Sequence, residues 1–341
     1  MPGPFVHDID PVLFSIAGVH AWWYGLSYSV GFLNAYLALR RSRTRLGLSP
    51  AMVYELTLAL AGGVLAGGRL IVVHNEWSFY REHLTLVPAL WIGGLATHGL
   101  ILGGAVGVLL FCLARRRPFR PIFDALAIPV AVILGSGRIG NFIDGQIVGS
   151  VTSAPWGVAF PGVEGYRHPV VLYDGLKNFA LVPVLWWIGR RAVPPGRVAA
   201  FFVVLYAGLR IPIDLLREYP LTLAGLPSGQ AVNIAMTMVG AVLLLKNWLL
   251  PPTNAAAGAF AAPARHPSAW HRLAFAALLL AVLAIPSDAT RDVPETYGSR
   301  HPGLRHSRLY PALIAPTAVQ RPVTTSRQQD PDADPEARSA R

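Results

Sequence analysis

Lysine is almost missing from this 341-residue chain, occurring only at Lys177 and Lys246. We read that as genomic composition bias, without functional weight. Cysteine occurs once, at Cys112, so one chain has no internal disulfide and no cysteine metal centre. Charged residues make up 14% against 53% hydrophobic, a balance that argues against a soluble enzyme. No G-x-x-x-x-G-K-[ST] loop, H-E-x-x-H helix or G-x-S-x-G elbow is present, which leaves ATP-, zinc- and serine-based chemistry without support. No internal repeat of the transporter kind is found. The stretch Met1 to Pro11 holds two aspartates and no basic cluster, so no cleaved secretory signal is expected and the first apolar segment stays in the mature protein.

What is present is apolar sequence cut by arginine. Mean hydropathy is +0.44, and runs of about 20 apolar residues predict membrane-spanning helices. Seven candidates run near Leu13–Leu39, Ala51–Val73, His98–Ala114, Pro121–Ile143, Pro169–Gly189, Val198–Leu216 and Gln230–Leu250. Trp270–Pro286 is a shorter apolar run, readable as an eighth span, a re-entrant piece or an interfacial helix. The net charge of +11 resides in clusters such as Arg40-Arg41, Arg115-Arg116-Arg117 and Arg190-Arg191. These follow the first, third and fifth spans, which suits cytoplasmic loops and anionic lipid rather than nucleic acid. The expected protein is therefore all-α and polytopic, with its N-terminus outside. Residues 1–250 form the membrane domain, 251–286 an Ala/Pro-rich linker with the marginal run, and 287–341 a tail too polar to order.

One stretch stands apart: Gly135 to Gly149 closes an apolar run yet carries Arg138, Asn141, Asp144 and five glycines. An arginine at membrane depth is costly and marks a functional site by default. Arg138 and Asn141, three apart, share one helical face. The alternative is a snorkelling arginine among packing glycines. In the sixth span, Arg210, Asp214 and Arg217 fall on one stripe, and an Arg210–Asp214 pair would leave Arg217 over. Together with Arg138 the stripe suits a phosphate, whose geometry matches guanidinium. Tyr24 reads either as a site residue or as part of an aromatic belt. His98 reads as a base or as a structural histidine, and Arg69 as a second site arginine or a snorkelling one.

These motifs resemble the bacterial prolipoprotein diacylglyceryl transferases over about residues 8–250. The resemblance rests on Trp23-Tyr24-Gly25-Leu26, Gly67-Gly68-Arg69, Gly93-Gly94-Leu95 with His98-Gly99, and the signature Gly137-Arg138-Ile139-Gly140-Asn141-Phe142-Ile143 with Gly145 and Gly149. His168-Pro169 with Leu172-Tyr173, the Arg210–Asp214–Arg217 stripe and Gly229-Gln230 complete it. It implies a bacterial inner-membrane enzyme with seven spans and an active site toward the outer leaflet. Such enzymes move the diacylglyceryl group of phosphatidylglycerol to the lipobox cysteine of a preprolipoprotein, without a cofactor, and release glycerol phosphate. By motif match, Tyr24, His98, Arg138 and Arg210 are the catalytic candidates. Arg138, Asn141, Gly149, Arg210, Asp214, Arg217 and Arg69 are the candidates for substrate binding, and no metal is implied. The arginines would hold phosphate and leaving-group charge, and His98 or Tyr24 would help deprotonate or orient the thiol.

The chain also departs from the pattern. Ile92 and Gln146 stand where the family usually has glutamate, Val171 replaces a glutamine, and Asp174 and Asp214 replace glutamates. Two further readings follow: a divergent member with altered or lost catalysis that binds phospholipid or lipoprotein precursors, and a transporter or channel for anionic solutes.

Overall fold

Backbone donors and acceptors in hydrocarbon must be satisfied within the segment, and a helix does so. The computed structural model describes residues 5–217, 228–249, 265–287 and 292–312. Its helices are α1 (Trp23–Ser42), α2 (Pro50–Asn75), a single turn α3 (Trp77–Tyr80), α4 (Thr97–Ala114) and α5 (Phe119–Ile143). They continue as α6 (Val170–Gly189), α7 (Arg197–Asp214), α8 (Ser228–Trp248), α9 (Ala269–Ala281) and α10 (Val293–Tyr297). Among the described residues four helices, α2, α4, α5 and α8, are long and apolar enough to cross a membrane.

Local chemistry sets the ends. Ser49 accepts from the Met52 amide at 3.2 Å and Pro50 opens α2. Asp124 of α5 accepts from the amides of Gly196 and Ala199 at 2.6 and 2.8 Å, satisfying donors at the start of α7. Helices α2 and α4 meet backbone to backbone where Gly63 and Gly67 face Gly103 and Gly99, the small-residue packing that membrane helices favour. Helix α1 lies against α5, and a Cβ at Gly140 would stand 2.7 Å from the Tyr24 Cα. Phe32, Leu39, Leu56 and Leu60 pack in one apolar core, and Leu181, Leu185, Phe202 and Tyr206 in a second.

The structure corrects three expectations. The chain is mostly helical but not all-α. Residues expected to begin the first span form a hairpin of β2 (Val12–Ile16) and β3 (Val19–Trp22), and the helix starts only at Trp23. Ala17 and Gly18 have φ of 50° and 79°, the two left-handed positions that a two-residue hairpin turn requires. A second small sheet joins β1 (Phe5–Val6), β4 (Val158–Ala159) and β5 (Tyr166–Arg167), with β1 parallel to β4.

Second, the run at Trp270–Pro286 becomes the 13-residue α9 and a 3₁₀ turn at Val282–Ala284, packed on α1 and α2. That helix falls short of the roughly 20 residues needed to span a bilayer.

Third, the described part of the expected tail, 292–312, is folded. Val293, Tyr297, Leu304 and Tyr310 are buried with Val12, Trp22, Ala89 and Ile92. The tail's polar average concealed these four anchors. The rest of the tail (288–291 and 313–341) and the linker stretch 250–264 lie outside the described residues.

Candidate active site

The starts of α1, α4, α6 and α8 and the ends of α2, α5 and α7 share one end of the bundle, and the polar residues collect there. Arg138, one turn before the end of α5, donates from Nε to Asp174 Oδ2 at 2.6 Å and from Nη1 to Asn141 Oδ1 at 2.9 Å. Its Nη2 donates to Thr97 Oγ1 at 3.3 Å. Arg210, from α7, donates through Nη1 to the same Asp174 Oδ2 at 2.6 Å. Lys177 stands 2.8 Å from Asp174 Oδ1 and lies 4.1 Å from the centroid of the Tyr206 ring. One carboxylate on α6 thus gathers three cations from three helices. Gly175 lets α6 lie close to α5, since a Cβ there would come 3.2 Å from the Arg138 Cβ.

A second carboxylate extends the network. Asp214 Oδ2 is 3.4 Å from Arg210 Nε, and Asp214 Oδ1 is 3.3 Å from Arg217 Nη1. Arg217 is therefore paired, contrary to the expectation that an Arg210–Asp214 pair would leave it over: one carboxylate, with two oxygens, serves both. Asn233 of α8 donates to Asp214 at 2.7 Å, and its Oδ1 accepts from His98 Nε2 at 3.3 Å. His98 joins the network through an amide rather than by touching an arginine.

Arg138, Asp174, Arg210 and Asp214 are each buried. Four cations (Arg138, Lys177, Arg210, Arg217) against two carboxylates (Asp174, Asp214) leave these six side chains with two net positive charges. Excess positive charge taken out of water favours an anionic neighbour.

The remaining candidates divide. Tyr24 is buried against Gly140, its hydroxyl 3.1 Å from that of Tyr28. Gly149 bridges backbone to backbone with Arg217 and presses on the His168 carbonyl, where a side chain has no room. Arg69 is not brought to the cluster. It donates to the carbonyls of Val87, Gly93 and Leu86 at 2.8, 2.6 and 2.6 Å and lies over the Tyr80 ring, tying down the loop after α3. Ile92 is buried among Val12, Trp22 and Tyr297, and Val171 is buried on α6 one turn before Asp174, so both positions supply apolar packing.

Sequence reasoning passed over Asp174 as a site residue and missed Lys177, Thr97, Asn233 and Ser287. Lys177 had a signal, being one of two lysines and lying mid-span. Thr97 and Asn233 look ordinary until the helices are assembled. Among the described residues no group of three or more His, Cys, Asp or Glu side chains is placed to hold a metal.

Helices long and apolar enough to cross a membrane, packed around a buried cluster rich in cations, describe a membrane protein. The family model described as prolipoprotein diacylglyceryl transferase matches residues 11–246, and the chain belongs to that family. A phosphatidylglycerol–prolipoprotein diacylglyceryl transferase of Geobacter sulfurreducens is 36% identical over 241 residues, covering 68% of this chain and 93% of the relative. The protein of the same name from Chromohalobacter salexigens is 35% identical, covering 69% and 91%. That from Rhizobium meliloti is 34% identical, covering 74% and 95%.

Proposed function

We propose that this chain transfers the diacylglyceryl group of phosphatidylglycerol to the lipobox cysteine thiol of prolipoproteins, within a bacterial inner membrane. The observation that carries the reading is the meeting of Arg138 and Arg210, from separate helices, on one oxygen of Asp174. The thiol sulfur attacks the glyceryl carbon that bears the phosphate ester. A carbon–sulfur bond forms, the carbon–oxygen bond breaks, and glycerol phosphate leaves with the electron pair while the thiol proton passes to a base. A phosphodiester carries one negative charge and the released monoester about two at neutral pH. A cluster of two net positive charges therefore complements the leaving group better than the donor lipid, which is where a catalyst gains rate.

Arg138 and Arg210 are assigned to the phosphate, with Asn141 and Asp214 holding them in place. Arg217 adds charge at the rim. His98, linked through Asn233 to Asp214, is the candidate that receives or relays the thiol proton, and Tyr24 the candidate that orients the incoming chain. The topology that goes with this reading has seven spans (α1, α2, α4, α5, α6, α7 and α8), the N-terminus outside, and the cluster facing the outer leaflet. The positions of the arginine runs after α1, α4 and α6 support it.

The test supplies purified protein with phosphatidylglycerol and a lipobox peptide and follows thioether-linked lipid by mass spectrometry. Wild type should form product, and Arg138→Ala should lower the rate at least about 100-fold, as loss of a transition-state donor does. No product under conditions where the Geobacter relative works would sink the reading.

A further inference from the structure

Residues 265–312 lie beyond the part of the chain that the family model matches, which ends at 246. The relatives are covered over 91–95% of their length by 68–74% of this chain. This added segment reaches the site directly. The Ser29 hydroxyl donates to the Leu279 carbonyl at 3.0 Å, and the Leu283 carbonyl lies so close to Gly25 that a Cβ there would stand 2.6 Å from it. Gly25 follows Tyr24. Three residues past the 3₁₀ turn, the Ser287 amide donates to Asp144 Oδ2 at 3.0 Å. The Ser287 Oγ accepts from Asn141 Nδ2 at 2.5 Å.

Farther on, Arg300 donates to the Asp144 carbonyl at 2.6 Å, and the Trp91 indole donates to the Leu309 carbonyl at 2.9 Å. Ile92, in place of the expected glutamate, is buried in the same apolar cluster as Tyr297 of the segment. The loss of that acid and the docking of the segment belong to one surface.

We propose that Ser287 is a positioning residue for the transfer reaction, acting through Asn141 on Arg138. The proposal rests on the function proposed above. Guanidinium has donors only, so Asn141 must turn Oδ1 toward Arg138 and point Nδ2 the other way. That amide is buried, and a buried donor without an acceptor disfavours the rotamer that meets Arg138. The Ser287 hydroxyl is the acceptor that holds it. The segment is thus a part of the active site that this chain supplies from outside the shared fold.

The experiment compares wild type, Ser287→Ala, Ser287→Thr and, as a control far from the cluster, Ser268→Ala at the start of α9. Steady-state kinetics use phosphatidylglycerol in mixed micelles and a fluorescent lipobox peptide. The Arg138 Nε–H resonance is followed in arginine-labelled protein and assigned with Arg138→Lys. Expected for Ser287→Ala is a kcat about tenfold lower, in the range of one unsatisfied buried donor. The peptide KM should stay unchanged and the Arg138 resonance should shift. Ser287→Thr should restore both, and Ser268→Ala should match wild type.

An unchanged kcat and resonance in Ser287→Ala would overturn the proposal. So would a faster Ser287→Ala enzyme, which would make the segment a cover. Equal losses in the alanine and threonine variants, with a lowered thermal midpoint, would reduce Ser287 to a structural role and also overturn it. If wild type makes no product, the functional reading fails by itself. The resonance then still decides whether Ser287 positions Arg138.

Discussion

At the scale of single residues, Asp174 is the centre of the cluster, because both its oxygens are engaged by cations from three helices. Removing one member of a buried ion pair costs about 3–5 kcal/mol, since the partner charge remains in a poor solvent for it. Asp174→Ala leaves three partners in that position. Its thermal midpoint in detergent should fall by roughly 10 °C, with transfer activity lost. A midpoint within about 1 °C of wild type would show that the cluster does not depend on Asp174. The arginines of the cluster were legible in the sequence because charge inside apolar runs is rare. Their common partner was less so: an aspartate at the start of a span, behind His168-Pro169, reads locally as a boundary residue. Arg69 shows the opposite failure, since the sequence records its depth but not the three carbonyls of the nearby loop that hold it.

At the scale of elements, the signature end of α5 is clamped from two sides, by the Ser287 segment and by the N-terminal strand β1. The chain following β1 places His7 so that its Nε2 donates to the Phe142 carbonyl at 2.6 Å while the ring stacks on Phe160 at 5.4 Å. Burial lowers the His7 pKa from its ordinary value, with the nearby Arg300 acting in the same direction and Asp8 opposing it. A histidine whose folded pKa is depressed contributes stability above the unfolded value of about 6.5, and that stability is lost as pH falls through the folded value. The docking of β1 should therefore weaken on acidification below about pH 6.5. Hydrogen exchange of the Val6 to Val12 amides should rise between pH 7 and pH 5, corrected for intrinsic rates, and His7→Gln should flatten that rise. An unaltered acid response in His7→Gln would assign it to another group, such as His20, whose pKa is also lowered by burial and by His301. Most helices were legible to within a few residues because length and apolar content alone define them. The β2–β3 hairpin was not: its residues are as apolar as a helix would be, and only Ala17-Gly18 separates the strands.

At the scale of the whole molecule, the arginine runs and the cationic cluster occupy opposite ends of the bundle. Arg190 and Arg191 lie over Trp186 and Trp187 at 4.5 and 3.5 Å, a pairing suited to a membrane boundary. Under the proposed topology, a cysteine at Ser153 should react with a membrane-impermeant maleimide added to intact cells, and one at Arg191 only after lysis. Both belong in a Cys112→Ser background, which removes the chain's own thiol. The reverse labelling pattern would invert the topology. Apolar run length made the long helices readable and arginine placement underlies the proposed direction of the spans, whereas the docked segment was hidden because its anchors, Tyr297 and Tyr310, are spread through polar sequence.

The bond between Asn141 and Ser287 has a consequence for biosynthesis, because 146 positions of chain separate its two ends. A ribosome releases the signature helix long before it makes the serine. The nascent protein thus enters the bilayer before the proposed site is complete, and the Asn141–Ser287 contact forms among the later acts of translation.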